Sequence, residues 1–131
     1  MKLPVRILKW LIIAYLLMLL ILSVAPTNSN ERINFSSTQV LSIRFDYLLH
    51  ALLFFPWMVL MHLRWKEKGA WFYMKALGVG LLLAVLSEGV QFLLPYRSFN
   101  VFDLLSNFVG VIVGALIVGW GGAKRQAIGD G

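Results

Sequence analysis

The sequence predicts an all-α fold, an integral membrane bundle of four transmembrane helices. The composition is the first reason, because 60% of the residues are hydrophobic and only 14% are charged, with a mean hydropathy of +0.78. Soluble domains carry about 25% charged residues. The second reason is four apolar runs of roughly the 20 residues that cross a bilayer, at about 7–25, 46–63, 73–94 and 102–120. We therefore expect residues 1–131 to form a single membrane domain.

The first apolar run follows Lys2 and Arg6, includes Lys9 near its start and ends at Ala25. A basic start, an apolar core and the small residues Ser23-Val24-Ala25 are also typical of a cleaved signal peptide. Pro26 follows directly after that cleavage position and disfavours cutting there. We interpret the run as a first transmembrane helix and leave cleavage as the alternative.

The second run begins after a polar stretch at residues 26–44, which we expect to form an exposed loop with a short interfacial segment at about 40–45. Pro56 lies in the middle of the second run. Proline has no backbone N–H and its ring crowds the preceding turn. The sequence therefore predicts a kink in the second helix near Pro56.

In the third run, the small residues Gly80 and Ala84 precede the acid Glu88 at intervals of four residues, so all three share one helix face. Small residues allow helices to approach closely in lipid, and the same argument applies to Gly110 and Gly114 in the fourth run. We expect these residues to mark packing faces. The pair Gly110 and Gly114 also predicts a partner, a second copy of the chain bound in a homodimer through these two glycines.

The basic residues are distributed unequally between the ends of the spans. Nine of the 12 Lys and Arg lie with the termini and the second connection, and the other three lie on the opposite side. Cytoplasmic loops are enriched in Lys and Arg, which predicts an N-in/C-in orientation. The same placement explains the net charge of +6 without nucleic acid, which we do not expect as a partner.

Polar residues accumulate at the predicted outer end of the spans. They are Asp46, His50, Glu88, Gln91, Arg97, Asp103 and Asn107. Intramembrane ionisable residues are costly, face the bundle interior or water, and commonly serve function. We interpret the set as a ligand-binding site in which Arg97 pairs with Glu88 or Asp103 and His50 pairs with Asp46 or Glu88. Glu88 and His50 are the candidates for acid–base catalysis.

Structural roles explain several of these residues equally well. Asp46 and Asp103 stand at helix starts, where an acid caps free N–H groups and complements the helix dipole. Gln91 and Asn107 can hydrogen-bond between helices. Glu88 is the hardest to explain in this way, because it is the deepest acid and has no basic neighbour on its own helix. The ligand spacing of a metal site is not recognisable, so we predict neither a metal nor a cofactor.

The ordered polar motifs resemble those of the VanZ-like family of small bacterial membrane proteins. The motifs are Asp46-xxx-His50, Glu88-xx-Gln91, Pro95-Tyr96-Arg97 and Asp103-xxx-Asn107-xx-Gly110-xxx-Gly114. The resemblance covers roughly residues 46–119. It implies a multi-pass protein of the bacterial cell (inner, cytoplasmic) membrane with about four spans, in a family named for a member associated with low-level resistance to the glycopeptide teicoplanin. It implies no defined biochemical activity.

Two functions of different class follow from the polar set. One is a protein that binds an anionic membrane lipid or a lipid-linked envelope precursor, with Arg97 contacting phosphate and the carboxylates positioning Arg97 or a ligand sugar. The other is a membrane enzyme in which Glu88 or His50 acts as general base and Arg97 or a bound cation stabilises an anion. A proton-coupled transporter, which would need a dimer, is a third. Whether the chain is an enzyme stays open.

Overall fold

Four long helices form the membrane bundle of the computed structural model, which describes residues 4–26, 39–40, 43–64 and 69–129. Helix α1 spans Val5–Val24, α2 Phe45–Arg64, α3 Ala70–Leu93 and α4 Val101–Gly129. Each contains a stretch long and apolar enough to cross a membrane, in α4 the part from Val101 to Gly121. The predicted all-α bundle of four spans is therefore confirmed.

A short antiparallel pair of strands precedes α2, with β1 at Gln39–Val40 and β2 at Ile43–Arg44. This pair coincides with the predicted interfacial segment at residues 40–45. The rest of the predicted polar loop lies outside the described residues. Helix α2 continues without interruption through Pro56, and the kink there stays a prediction.

The closest packing in the bundle is between α2 and α4, and two glycines of α4 make it possible. A Cβ on Gly110 would overlap the carbonyl oxygen of Ala51, and a Cβ on Gly114 would stand 2.7 Å from the carbonyl oxygen of Phe55. Small residues let two backbones approach in this way. Both glycines are therefore covered by α2 of the same chain. The predicted homodimer through Gly110 and Gly114 stays a prediction.

The small-residue face of α3 packs inward as the spacing predicts. Gly80, Ala84 and Glu88 are all buried. The indole of Trp57 lies over Gly80, where an added Cβ would meet it at 2.6 Å. The same indole donates a hydrogen bond of 2.7 Å to the carbonyl of Ala76. Because Gly80 has no side chain, the indole of Trp57 fits between α2 and α3.

Helix α1 packs against α2 and α3 through Leu8, Tyr15, Leu19 and Ser23, all of them buried. The Tyr15 hydroxyl donates a hydrogen bond of 2.8 Å to the carbonyl of Leu53, three residues before the proline of α2. Buried tyrosines usually find a partner of this kind for the hydroxyl. This part of the chain is an integral element of the bundle.

Tyr15→Phe is expected to lower the free energy of unfolding by about 1 kcal/mol, because it deletes one buried hydrogen bond and retains the ring. The measurement is unfolding of the purified protein in mixed micelles, followed by circular dichroism. Ile21→Val is the matched control, since Ile21 is an exposed residue of the same helix. Equal stability of the two variants would show that the hydroxyl contact contributes nothing.

Candidate functional site

The helices bring the predicted polar residues to one end of the bundle. Helices α1 and α3 end there and α2 and α4 begin there, so that Asp46, Glu88, Arg97 and Asp103 lie towards the same end of the bundle. We call this the polar end. Lys9, Arg64 and Lys75 belong to the opposite end of their helices. The polar residues and these three basic residues therefore lie at opposite ends of the bundle, as the sequence predicts.

Asn107 joins α2 and α3 at the centre of the polar end. Its amide nitrogen donates to Glu88 Oε1 at 3.0 Å, and its amide oxygen lies 3.0 Å from His50 Nδ1. A carboxylate only accepts hydrogen bonds, so the Asn107 nitrogen faces Glu88 and its oxygen accepts from the Nδ1–H of His50. Glu88 and Asn107 are 1% and 0% exposed. Three helices are therefore connected by one directed chain of hydrogen bonds.

Glu88 and His50 are also within ion-pair distance, since Nδ1 of the imidazole is 3.8 Å from Oε1 of the carboxylate. This confirms the predicted proximity of His50 and Glu88. The second carboxylate oxygen, Oε2, is buried and has no hydrogen-bond partner among the described residues. Buried side-chain oxygens without a hydrogen-bond partner are rare in native proteins.

Asp103 completes the polar cluster, which consists of His50, Glu88, Asp103 and Asn107. Its Oδ2 is 3.7 Å from Nε2 of His50, while its Oδ1 accepts a hydrogen bond of 3.1 Å from Asn100. The side chains of His50 and Asp103 are 19% and 13% exposed. The cluster therefore opens to its surroundings on the His50–Asp103 side and is closed at Glu88.

Asn100 is a functional neighbour that the sequence analysis did not single out. Its Oδ1 accepts from the backbone N–H of Phe102 at 3.0 Å, and it stands three residues before Asp103. This is the pattern of an N-terminal helix cap with an acid at the third helical position. The spacing of Asn100 and Asp103 could have revealed it. Asp103 is thus both part of the helix cap and a contact of His50.

Arg97 lies in the turn between α3 and α4, and its side chain contacts the end of α1. Its Nη2 donates to the carbonyl of Leu22, and the hydroxyl of Tyr96 donates to the carbonyl of Val24 at 2.8 Å. A cation and a hydroxyl thereby satisfy carbonyls at the C-terminus of α1, where the helix dipole is negative. Direct pairing of Arg97 with Glu88 or Asp103 stays a prediction.

Gln91 and Asp46 lie at the same end. Gln91 is buried one turn after Glu88 on α3, and Asp46 occupies the first turn of α2, one turn before His50. Asp46 is partly buried and has its own contacts. Pairing of Asp46 with His50 stays a prediction.

In the comparison with protein families, the model of the VanZ/LLP1 family matches residues 9–121. The chain belongs to the VanZ/LLP1 family. The match includes α1 from Lys9 onwards, all of α2 and α3, α4 as far as Gly121, and every residue of the polar cluster. Comparisons with curated proteins and with solved structures give no match.

This VanZ/LLP1 protein carries a second contact that the sequence analysis missed, between α1 and α3. The Ser23 hydroxyl donates to its own helix at Leu19 and lies 2.6 Å from the Ser87 hydroxyl. Both serines line a cavity of about 120 Å³, whose other walls are Leu16, Leu19, Leu20, Leu83, Leu86 and Val90. We call it the leucine groove. Serine in an apolar helix gives little periodic signal, so only the packing reveals the pair.

The chemistry available to this VanZ/LLP1 protein follows from its donors and acceptors. Asn107 fixes Glu88 and His50 at a set distance and carries no titratable proton of its own. In the parts of the chain that the structure describes, no three His, Asp or Glu side chains are grouped to hold a metal ion. The arrangement is suited to hydrogen-bonding a polar group that enters beside His50 and Asp103.

Proposed function

We propose that this VanZ/LLP1 protein binds the head group of a lipid or lipid-linked envelope component at its polar end. The observation that carries the proposal is Glu88, a carboxylate 1% exposed with one oxygen that has no hydrogen-bond partner among the described residues. Burying a carboxylate without full compensation is costly. A ligand that donates to the cluster would supply the compensation that the described chain lacks.

The surroundings support a ligand with a polar head and an apolar tail. The cluster opens at His50 and Asp103, whereas the leucine groove beside it is almost entirely apolar. Ser87 lines that groove and Glu88, the next residue of α3, belongs to the cluster. A lipid could thus place its head at the polar end and its chain between α1 and α3.

Arg97 is the residue that we assign to an anionic group of the ligand, with Gln91 and Asn107 contributing hydrogen bonds. A guanidinium carries five N–H donors, and one nitrogen of Arg97 contacts the carbonyl of Leu22. Its planar fork matches phosphate. A phosphate at this position would lie at the end of the bundle, where the head groups of a bilayer are found.

We place this end on the outer face of the cytoplasmic membrane, in line with the distribution of Lys and Arg. Lipid-linked precursors of the envelope present their heads at that face. Binding or modulating such a component would connect this protein with the teicoplanin resistance associated with the member for which the family is named. The proposal is thus a binding protein of the cell envelope.

Arg97→Ala is expected to release a co-purifying lipid phosphate that the wild-type protein retains. The loss should be about tenfold or more, because a charge-assisted contact with phosphate is among the strong hydrogen bonds. The measurement is native mass spectrometry of protein extracted gently from its own membrane. The spectra identify the lipid by mass.

Tyr96→Phe is the matched control, because it removes the neighbouring cap of α1 and leaves all charges unchanged. If Tyr96→Phe loses the lipid as fully as Arg97→Ala, the effect comes from loosening of α1 and not from phosphate contact. Equal, nonspecific lipid on all three proteins would overturn the proposed function.

A further inference from the structure

The two serines of the leucine groove bond to each other and leave its walls apolar. The Ser23 hydroxyl donates to the carbonyl of Leu19, so the proton in the 2.6 Å contact between the serines comes from Ser87. Both hydroxyl protons are thus used between α1 and α3. The other residues around the groove are leucines and one valine. The groove is therefore suited to a hydrocarbon and not to a polar group.

The position of the groove along α3 places it in the hydrocarbon core of the bilayer. The groove extends from Leu83 to Val90, which is about 10 Å at a rise of about 1.5 Å per residue. On the same scale, Ser87 lies about 9 Å before the end of the helix at Leu93. The hydrocarbon core is about 30 Å thick. The groove thus belongs to the leaflet at the polar end.

The groove opens sideways to that leaflet. Leu20 of α1 and Leu86 of α3 line it and are both more than half exposed, whereas Leu19 is buried. The exposed leucines therefore form the rim of the groove and Leu19 part of its base. A lipid chain can enter between the two rim leucines directly from the bilayer, without crossing the head-group region.

The size of the groove favours one narrow chain. Its volume of about 120 Å³ is well below the roughly 300–1,000 Å³ of pockets that enclose drug-sized ligands. Distributed over about 10 Å of two helices, this space suits a single unbranched chain. A methyl branch would have to push leucine side chains aside, and overpacking of this kind is destabilising.

We propose that the leucine groove binds one unbranched acyl chain of a phospholipid from the leaflet at the polar end. The inference rests on the proposed function, in which the head group of the same lipid binds at the polar end, and it names the class of chain. Ser87 of the groove and Glu88 of the polar cluster are consecutive residues of α3, so the sites for chain and head group are continuous. Polyprenyl chains, which carry a methyl branch on each isoprene unit, are then disfavoured.

The test compares hexadecyl phosphate with phytanyl phosphate, each added to delipidated protein in detergent and measured by native mass spectrometry. The two compounds have the same head group and saturated main chains of equal length, but only phytanyl phosphate carries methyl branches. We expect hexadecyl phosphate to bind about tenfold more tightly, because its chain enters the groove without displacing leucines. Equal binding of the two compounds would overturn the assignment of an unbranched chain.

Variants at the rim assign the binding to the groove. Leu86→Trp fills the groove with an indole and should weaken the binding of hexadecyl phosphate about tenfold. Leu82→Trp is the matched control, because Leu82 is as exposed as Leu86 on the same helix and lies outside the groove. In the opposite direction, Leu20→Ala widens the groove and should reduce the preference for hexadecyl phosphate to below about threefold. Leu17→Ala, an exposed position of α1 outside the groove, should retain the full preference.

The outcomes separate this inference from the proposed function, with folding of each variant checked by its unfolding transition. If Leu86→Trp binds hexadecyl phosphate like the wild type while Arg97→Ala loses it, the groove is not the chain site and the head-group site stands. A wild-type dimer that Leu86→Trp dissociates would show that the groove is an interface between two copies, which overturns the inference. If the wild-type protein binds neither phosphate above background, the proposed function and the inference both fail.

Discussion

Gly110→Ala is expected to lower the free energy of unfolding by about 3 kcal/mol or more, because the added methyl group would occupy the position of a backbone carbonyl. That carbonyl belongs to Ala51 of α2, and its carbon would be 2.9 Å from the new Cβ. A backbone cannot move aside as a flexible side chain does. The two helices would have to separate along their contact. Unfolding in mixed micelles, followed by circular dichroism, measures the effect.

Gly119→Ala is the matched control for this experiment. It lies on the same helix, and beyond the adjacent residues and the backbone of that helix no described atom comes within 4 Å of the position of its Cβ. Both substitutions raise the helix propensity of α4 equally, so the difference between them isolates the contact with α2. Equal stability of Gly110→Ala and Gly119→Ala would contradict the close approach of α2 and α4.

Asn107→Leu is expected to have the second large effect, a loss on the order of 3 kcal/mol. The substitution keeps an apolar side chain of similar size in the bundle but removes the partner of both Glu88 Oε1 and His50 Nδ1. A buried carboxylate and a partly buried imidazole would then lose their amide partner. Unfolding in mixed micelles is again the measurement, with Ser106→Ala as the control on the same helix.

A double substitution distinguishes a polar network from simple packing. In Glu88→Leu/Asn107→Leu, both partners become apolar, and the protein should recover part of the stability that either single variant loses. The expected signature is a coupling of at least about 1 kcal/mol between the two sites. Strict additivity would show that Asn107 contributes shape and not hydrogen bonding.

Several features of the bundle could be read from local sequence because membrane physics is restrictive. A bilayer demands long apolar helices, so composition and run length predicted the four spans. Four-residue spacing predicted that Gly80, Ala84 and Glu88 share the buried face of α3. Family resemblance was likewise visible in motifs along the chain, and the match over residues 9–121 confirms it.

Pairing between helices could not be read in the same way. Periodicity places Asn107 on a face of α4 but does not say whether its amide meets α2, α3 or both. The same limit applies to Arg97, whose contact with the carbonyl of Leu22 is made 75 residues away in the chain. It also applies to Gly110, which the spacing marked as a packing residue without naming its partner. Such contacts depend on the order in which the helices surround one another.

The sequence by itself determined the class of protein, the number of spans and the concentration of polar residues at one end of them. Only the tertiary structure decided that Asn107 connects His50 to Glu88, that Gly110 and Gly114 are used within the chain, and that Ser23 meets Ser87 beside an apolar groove. The physical reason is the range of the forces involved. Hydrophobicity and helix period act along the chain, whereas hydrogen bonds and close packing act over a few ångströms between helices.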